Sequence, residues 1–381
     1  MADTNQATEA KEQSDGGPAT RATNEAGADG IDFTTKGDVI SVMAQAGTGR
    51  RQSLNGFAPD YTDIVDYIIR ATHKIWEEGG IGLLYDHYAH NTVTWSDWGT
   101  TYGRDRVMER DVIDRLAGFP DQRSYAEDVV WTGNDVEGFR TCHRSMVIAH
   151  NTGYTKYGPP TGRRIQRRSF ANCVVRENRV VEEWLIQDEL TVVRQLGLNV
   201  DDVLRELANQ LDASTVQDIV GEVPRVAGQT TPAAYIPRHS DRFDVEDFVR
   251  QGINEIWHWR LLNKIPTYYA ANCPVHGPSN RELYGHGDIR AFVLALLQAF
   301  PDAMVEIDDL YWNGSERGCY RTAVRWTLLG THRGYGIFGR PTGKPIRIMG
   351  TTEHHIKDGK ILEEWTLFNE LALLWKLRYA A

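Results

Sequence analysis

Asp358-Gly359-Lys360-Ile361-Leu362-Glu363-Glu364-Trp365 reads as a tight turn leading into a strand, and its likeness, Glu177-Asn178-Arg179-Val180-Val181-Glu182-Glu183-Trp184, stands 181 residues earlier. Outward from this stretch the offset holds. Ile75-Trp76 falls on Ile256-Trp257, Phe119-Pro120-Asp121 on Phe300-Pro301-Asp302, Arg140-Thr141 on Arg321-Thr322, and Pro160-Thr161-Gly162 on Pro341-Thr342-Gly343. Chance does not keep one register over such a length, so the chain is a duplicated domain of roughly 135 residues rather than a solenoid of short repeats.

Each copy orders its elements alike. A helix comes first, over 61–78 and 245–262. A short second helix or turn follows, ending at Tyr-Ala-x-Asn. The third helix is clearest at 285–300, where Ile289, Phe292, Val293, Leu296 and Leu297 form one apolar stripe that stops before Pro301. Alternation then takes over: Val305/Ile307, Tyr320 to Leu328, Ile346/Ile348 and Ile361 to Phe368 predict four strands. Helices followed by a meander give an α+β domain in which N-terminal helices pack in one curved antiparallel sheet, a shape that encloses a cavity. The expected organisation is a disordered tail over 1–58, a domain over 59–199, a helical and Pro-containing linker over 200–241, and a second domain over 242–381.

The net charge of −10 argues against nucleic acid, because phosphate contacts need clustered cations. The one dense basic run, Arg163 to Arg168, reads as a solvated strand face. Four cysteines at unmatched positions, without a CxxC pair, predict neither disulfides nor a zinc cluster. No apolar run reaches the roughly 20 residues of a membrane span, and the first thirty or so lack a signal segment, so a cytoplasmic protein is expected.

The helix ending in Ala-Phe-Pro-Asp, the Pro-Thr-Gly-Lys turn and the closing Asp-Gly-Lys-Ile-Leu-Glu-Glu-Trp resemble the SnoaL-like polyketide (ester) cyclase family. That family is a branch of the NTF2-like superfamily of cone-shaped α+β domains, so the resemblance implies two tandem cones. It also implies a cavity carboxylate at Asp188 acting as acid/base, helped by a histidine on the neighbouring strand. The first copy keeps that Asp but has Cys173 where the second has His354, and the second has Asn369 where the first has Asp188.

Counting back from the Asp358-Gly359 turn sets His354 opposite Glu363 and Thr352 opposite Trp365, with Asn369 on the same face. The same construction in copy one sets Cys173 opposite Glu182. The candidate catalytic residues are therefore His354, Glu363 and Asp188. The alternative is that Glu182 and Glu363 cap the hairpins from the solvent side. Candidate ligand contacts are Asn91 and Asn272 as oxyanion donors, Tyr88, Tyr269, Trp184 and Trp365 as walls, Asn369 on the His354 face, and His332 near the place where the cavity mouth of the resembled family lies. The two asparagines can equally close turns. His87 and His90 have a spacing usable for metal but no third ligand, so no metal is expected.

No phosphate loop, nucleophile elbow or HExxH motif is present. The favoured expectation is an enzyme without cofactors, a cyclase, isomerase or lyase, that moves protons on a small or medium hydrophobic oxygenated molecule. The competing one is a non-catalytic ligand-binding or scaffold protein. In either case the copies are expected to pair as an internal pseudo-dimer, with further homo-oligomerisation open, and with neither nucleic acid nor membrane as partner.

Overall fold

Tight turns set the architecture. Glu177 and Asn178 have φ of 44° and 68°, and Asp358 and Gly359 have 51° and 67°, the backbone of two-residue hairpin turns that match strand twist. The computed structural model describes residues 49–211 and 235–379. Copy one forms β1 (Tyr88–Ser96), β2 (Gly99–Tyr102), β3 (Arg123–Asn134), β4 (Gly138–His150), β5 (Arg164–Arg176) and β6 (Arg179–Gln187). Copy two forms β7 (Pro274–Gly277), β8 (Arg281–Tyr284), β9 (Met304–Asn313), β10 (Tyr320–Thr331), β11 (Pro345–Lys357) and β12 (Lys360–Phe368). The sheets share one topology, β2-β1-β6-β5-β4-β3 and β8-β7-β12-β11-β10-β9. They are mixed rather than wholly antiparallel, because β1 and β7 arrive from the helical layer and run parallel to β6 and β12.

The helices lie in the curve of each sheet. Asp63 and Asp244 cap the first helices, Ile64–Trp76 and Val245–Ile253, each carboxylate accepting from the backbone three residues on. The third helix of copy two is continuous from Gly285 to Ala299. Its counterpart runs Arg104–Val107, widens to a π-helical stretch Met108–Ile113 and closes at Asp114–Gly118. Among the described residues no helix is long and apolar enough to cross a membrane.

One boundary differs from the expectation. Residues 1–48 lie outside the described ones, but the tail reading over 1–58 extends too far. Leu54 and Phe57 are buried against the first helix, and Arg51 pairs with the capping Asp63 at 2.5 Å. Within 200–241, residues 212–234 lie outside the described ones. Val200–Gln210 is helical and clusters Val203, Leu204 and Leu207 with Leu371 and Trp375 of the final helix, Glu370–Tyr379.

The outer faces of the two sheets meet. Val130, Cys142, Phe170, Trp184 and Ile186 of copy one join Tyr311, Ala323, Met349, Trp365 and Leu367 of copy two in one apolar cluster. Contacts recur in pairs across it. The Arg325 guanidinium carbon lies 3.9 Å from the centre of the Trp184 ring, and that of Arg144 lies 3.7 Å from Trp365. Arg140 pairs with Asp309 at 2.8 Å, and Arg321 pairs with Asp128. The Arg144 contact with Glu353 has no twin: Arg144 Nε donates to the buried Glu353 carboxylate at 2.7 Å, whereas the matching Asn172 donates to Thr351 Oγ1 at 2.9 Å.

Arg144→Met therefore strands a carboxylate between the sheets. It should cost about 3–5 kcal/mol in urea unfolding, and adding Glu353→Leu should recover most of that loss. A single variant as stable as the parent would show that water reaches Glu353.

Candidate functional site

One extra residue in the last strand of each copy decides which side chains face the cavity. In β12 the register runs Lys357↔Lys360, Ile356↔Ile361 and then His355↔Glu363, which leaves Leu362 unpaired as a bulge. In β6 Val181 is skipped in the same way. A strand alternates its side chains, so one added residue exchanges the faces of everything beyond it. His354 lies opposite Glu364, not Glu363, and Cys173 lies opposite Glu183, not Glu182.

This corrects several expectations. Glu363 lies outside the cavity, where it meets His276 at 3.0 Å, and Glu364 lies inside. Trp184 and Trp365 turn outward into the contact between copies instead of walling the cavities. Asp188 caps the helix Glu189–Gln195 through Thr191, and it also accepts from the Asn280 backbone of copy two at 3.1 Å. Asn369 caps the final helix through Leu371 and Ala372. Neither is among the residues that line the two sheet-enclosed cavities, because the chain leaves the sheet there and the first free helical amides claim both side chains. Asn91 and Asn272 are exposed. His332 is buried, with Nδ1 3.3 Å from both the Thr342 amide and its hydroxyl, so it clamps the β10–β11 connection. His87 turns into the core against Tyr61 and Tyr67 while His90 is exposed, so the two do not converge. Among the described residues no group of three or more His, Cys, Asp or Glu side chains is arranged to hold a metal ion.

His354, Tyr269 and Tyr88 do line cavities. In copy two, Ile253, Ile256, Trp257, Phe292, Trp326 and Phe368 surround a space of about 80 Å³. Polar atoms in it converge on Glu364. Tyr269 Oη donates to its Oε2 at 2.7 Å and Thr366 Oγ1 to its Oε1 at 2.6 Å. Behind Thr366 the chain continues to Thr352 at 2.9 Å and to Trp326 Nε1 at 2.9 Å. His354 Nε2 stands 3.6 Å from Glu364 Oε2, and its Nδ1 is 2.7 Å from Thr322 Oγ1. Burial pushes the His354 pKa down, keeping the imidazole neutral, and burial followed by the Glu364 charge pushes the Tyr269 phenol up, keeping it a donor.

Copy one repeats the tyrosine and the glutamate in a different setting. Tyr88 Oη lies 3.3 Å and Thr94 Oγ1 3.4 Å from Glu183 Oε2. Burial, and then the charge of Asp111, raises Glu183 to about 7. The surrounding cavity of about 90 Å³ includes Asp111, Arg115, His143, Ser145 and Cys173 where copy two has Phe292, Leu296, Val324, Trp326 and His354. An adjoining chamber of about 330 Å³ shares Asp111, Arg115 and Leu185 and reaches Asp97, Trp98, Lys156, Arg167 and Glu189. Sequence reasoning passed over Glu183, Glu364, Arg115 and Arg167. A signal for the glutamates was present: Val180-Val181-Glu182-Glu183 and Ile361-Leu362-Glu363-Glu364 both break strict alternation at one place.

A family model described as SnoaL-like polyketide cyclase matches residues 67–196 and again 247–377. Among solved structures, a SnoaL-like protein from Jannaschia sp. CCS1 is 19% identical, covering 38% of this chain and 99% of its own, with a TM-score of 0.33. A SnoaL-like polyketide cyclase from Agrobacterium tumefaciens is 16% identical over 36% of this chain and 99% of its own, TM-score 0.30. TsrD from Streptomyces laurentii is 18% identical over 37% and 99%, TM-score 0.31. No curated protein sequence matches the chain.

Copy one carries a pH signature of its own. Glu183 and Asp97 are both held up to about 7, in each case first by burial, against ordinary values of 4.5 and 3.8. Between those values the fold keeps protons that the unfolded chain has released. Their contribution to stability is thus full below the window and is lost as pH rises through about 7. Melting temperatures taken from about pH 4 to about pH 8 should fall less steeply for Glu183→Gln than for the parent, with the variant ahead by most above pH 7. Parallel curves would mean that Glu183 titrates in the fold as it does in the unfolded chain.

Proposed function

Because the chain belongs, twice over, to the SnoaL-like polyketide cyclase family, we propose that copy two is an acid/base enzyme acting beside the carbonyl of a small apolar substrate, with Glu364 as the base. The observation that carries this reading is the carboxylate itself, held by Tyr269 and Thr366 in an otherwise apolar cavity with the His354 imidazole 3.6 Å away. A carboxylate fixed by two donors needs little reorganisation before it takes a proton, and an apolar wall favours a neutral, hydrophobic carbonyl compound.

Glu364 would remove a proton from the carbon next to the carbonyl, becoming a carboxylic acid as the electron pair moves onto the carbonyl oxygen. The neutral His354 would donate a hydrogen bond to that oxygen or pass on the proton. Return of the proton to another carbon completes an isomerisation, and attack of the enolate carbon on a second carbonyl closes a ring. Side chains carry every proton in this scheme, without a cofactor. Glu363, the carboxylate favoured by simple counting, takes no part, and Asp188 serves as a cap.

Deuterium uptake from heavy water, followed by NMR on a series of apolar β-keto esters and aryl ketones, tests the scheme. The full chain should accelerate exchange at the carbon beside the carbonyl, and Glu364→Gln should lower the rate by about 10²–10⁴. Glu363→Gln and Asp188→Asn should stay near the parent rate. Exchange that survives Glu364→Gln removes the assignment, and absence of exchange across the series favours a non-catalytic binding protein.

A further inference from the structure

Copy one keeps two guanidinium groups where copy two has hydrocarbon. Arg167 lies on the inward face of β5, in line with Ile165, Ser169 and Cys173, and is 6% exposed. It therefore departs from the solvated strand face expected for Arg163 to Arg168, of which Arg164 keeps to solvent and Arg168 pairs with Glu127 at 2.8 Å. The buried Arg167 Nη1 finds no hydrogen-bond partner. Arg115 lines the same chamber and lies on Trp76, its guanidinium carbon 4.3 Å from the ring centre. The corresponding residues of copy two are Ile348 and Leu296.

Leaving a buried guanidinium partly unbonded is costly, and the sister domain shows that this fold accommodates aliphatic residues in its place. Such a cost is characteristic of binding positions, where an external group completes the bonding. The other charges in the chamber narrow what that group can be. Lys156 and Glu189 satisfy each other at 2.6 Å, and Arg110 and Asp114 are exposed at the rim. Inside remain Asp111 and Asp97, with Glu183 in the adjoining cavity. These carboxyl groups would repel a dianion such as phosphate but tolerate a single negative charge shared between two guanidiniums. The planar fork of arginine suits a carboxylate in particular.

We propose that copy one is a binding site for a small organic monocarboxylate, whose carboxylate is held by Arg167 and Arg115 in the chamber between β5, the third helix and the helix Glu189–Gln195. The chamber, about 330 Å³, lies within the range of small-molecule pockets, and Trp98 and Tyr157 give its walls aromatic surface for the rest of the ligand. The site is separate from the Glu364 cavity, so the chain would hold an anionic ligand in one copy and a neutral one in the other.

Calorimetric titration of the full chain at neutral pH with benzoate, cinnamate and mandelate, beside their carboxamides and inorganic phosphate, tests this. At least one carboxylate should bind saturably while its amide does not. Arg167→Ile and Arg115→Leu, which install the sister residues, should each weaken binding by about tenfold or more, the equivalent of one charge-assisted hydrogen bond. Arg167→Ile should also melt no lower than the parent, because a buried charge is removed. If either variant fails to fold, Arg167→Lys, which keeps the charge without the fork, should fold and bind more weakly. Glu364→Gln should leave carboxylate binding unchanged, which separates this proposal from the reading of copy two. The proposal is overturned if no carboxylate binds, if amide or phosphate binds as tightly, or if the arginine variants bind like the parent.

Discussion

The bulge at Val181 and Leu362 is the constraint on which the interior and the exterior of both domains depend. Two glutamates and a tryptophan follow it in each copy. With the extra residue, the second glutamate enters the cavity, and the first glutamate and the tryptophan face outward. Without it the first glutamate and the tryptophan would face inward, leaving an arginine of the other copy without its aromatic partner and the cavity tyrosine without its carboxylate. One local irregularity therefore sets the cavity chemistry and the contact between domains together, and the two cannot drift apart independently. That coupling gives a physical reason for both copies to keep the same irregularity while so much of their linings has changed.

Around this shared frame the copies have moved in opposite directions. Copy two exchanges hydrogen-bonding side chains for aromatic and aliphatic ones, and what polarity remains converges on a single carboxylate. Copy one keeps titratable groups deep inside: Glu183 and Asp97 near 7, and His143 pushed down to about 4 by burial. Each shift favours the neutral form of its group, which is how a low-dielectric cavity accommodates titratable side chains that lack a full set of partners. The π-helical turn at Met108–Ile113 lies in the third helix, which carries Asp111 and Arg115, and it has no equivalent in the continuous helix of copy two. Such turns occur often at functional sites.

The fold could be read from the sequence because its signals are repeated and local. The offset, the helical stripe at Ile289 to Leu297, the Phe-Pro stops and the Asp358-Gly359 turn each act over a few residues, and the duplication states them twice. The site was legible only in part. His354 lies within β11, and Tyr88 and Tyr269 follow directly on short helices at matching places in the two copies, so the duplication itself marks them. The carboxylates were misplaced because register counted from a turn carries an error of one residue through everything after a bulge. The resemblance puts Asp188, and counting along the strand puts Asn369, in the sheet-enclosed cavities; both cap helices instead, and Asn369 lines the larger chamber of copy one. Arg167 looked like one more surface cation: four arginines in six residues suggest solvent, and the burial of this one depends on a sheet that curves over a cavity.

A homodimer built from one such domain would present every interface residue twice, so a charge introduced at one end of the contact would appear at the other as well. Fusion of two copies in one chain removes that obligation. Glu353 meets Arg144 on one side of the pseudo-axis, while Asn172 and Thr351 make a neutral bond on the other. The halves thereby differ at this point, while the arginine–tryptophan and arginine–aspartate pairs keep the rest of the joint symmetric. Substitutions in one domain can accumulate without having to suit both sides of the joint.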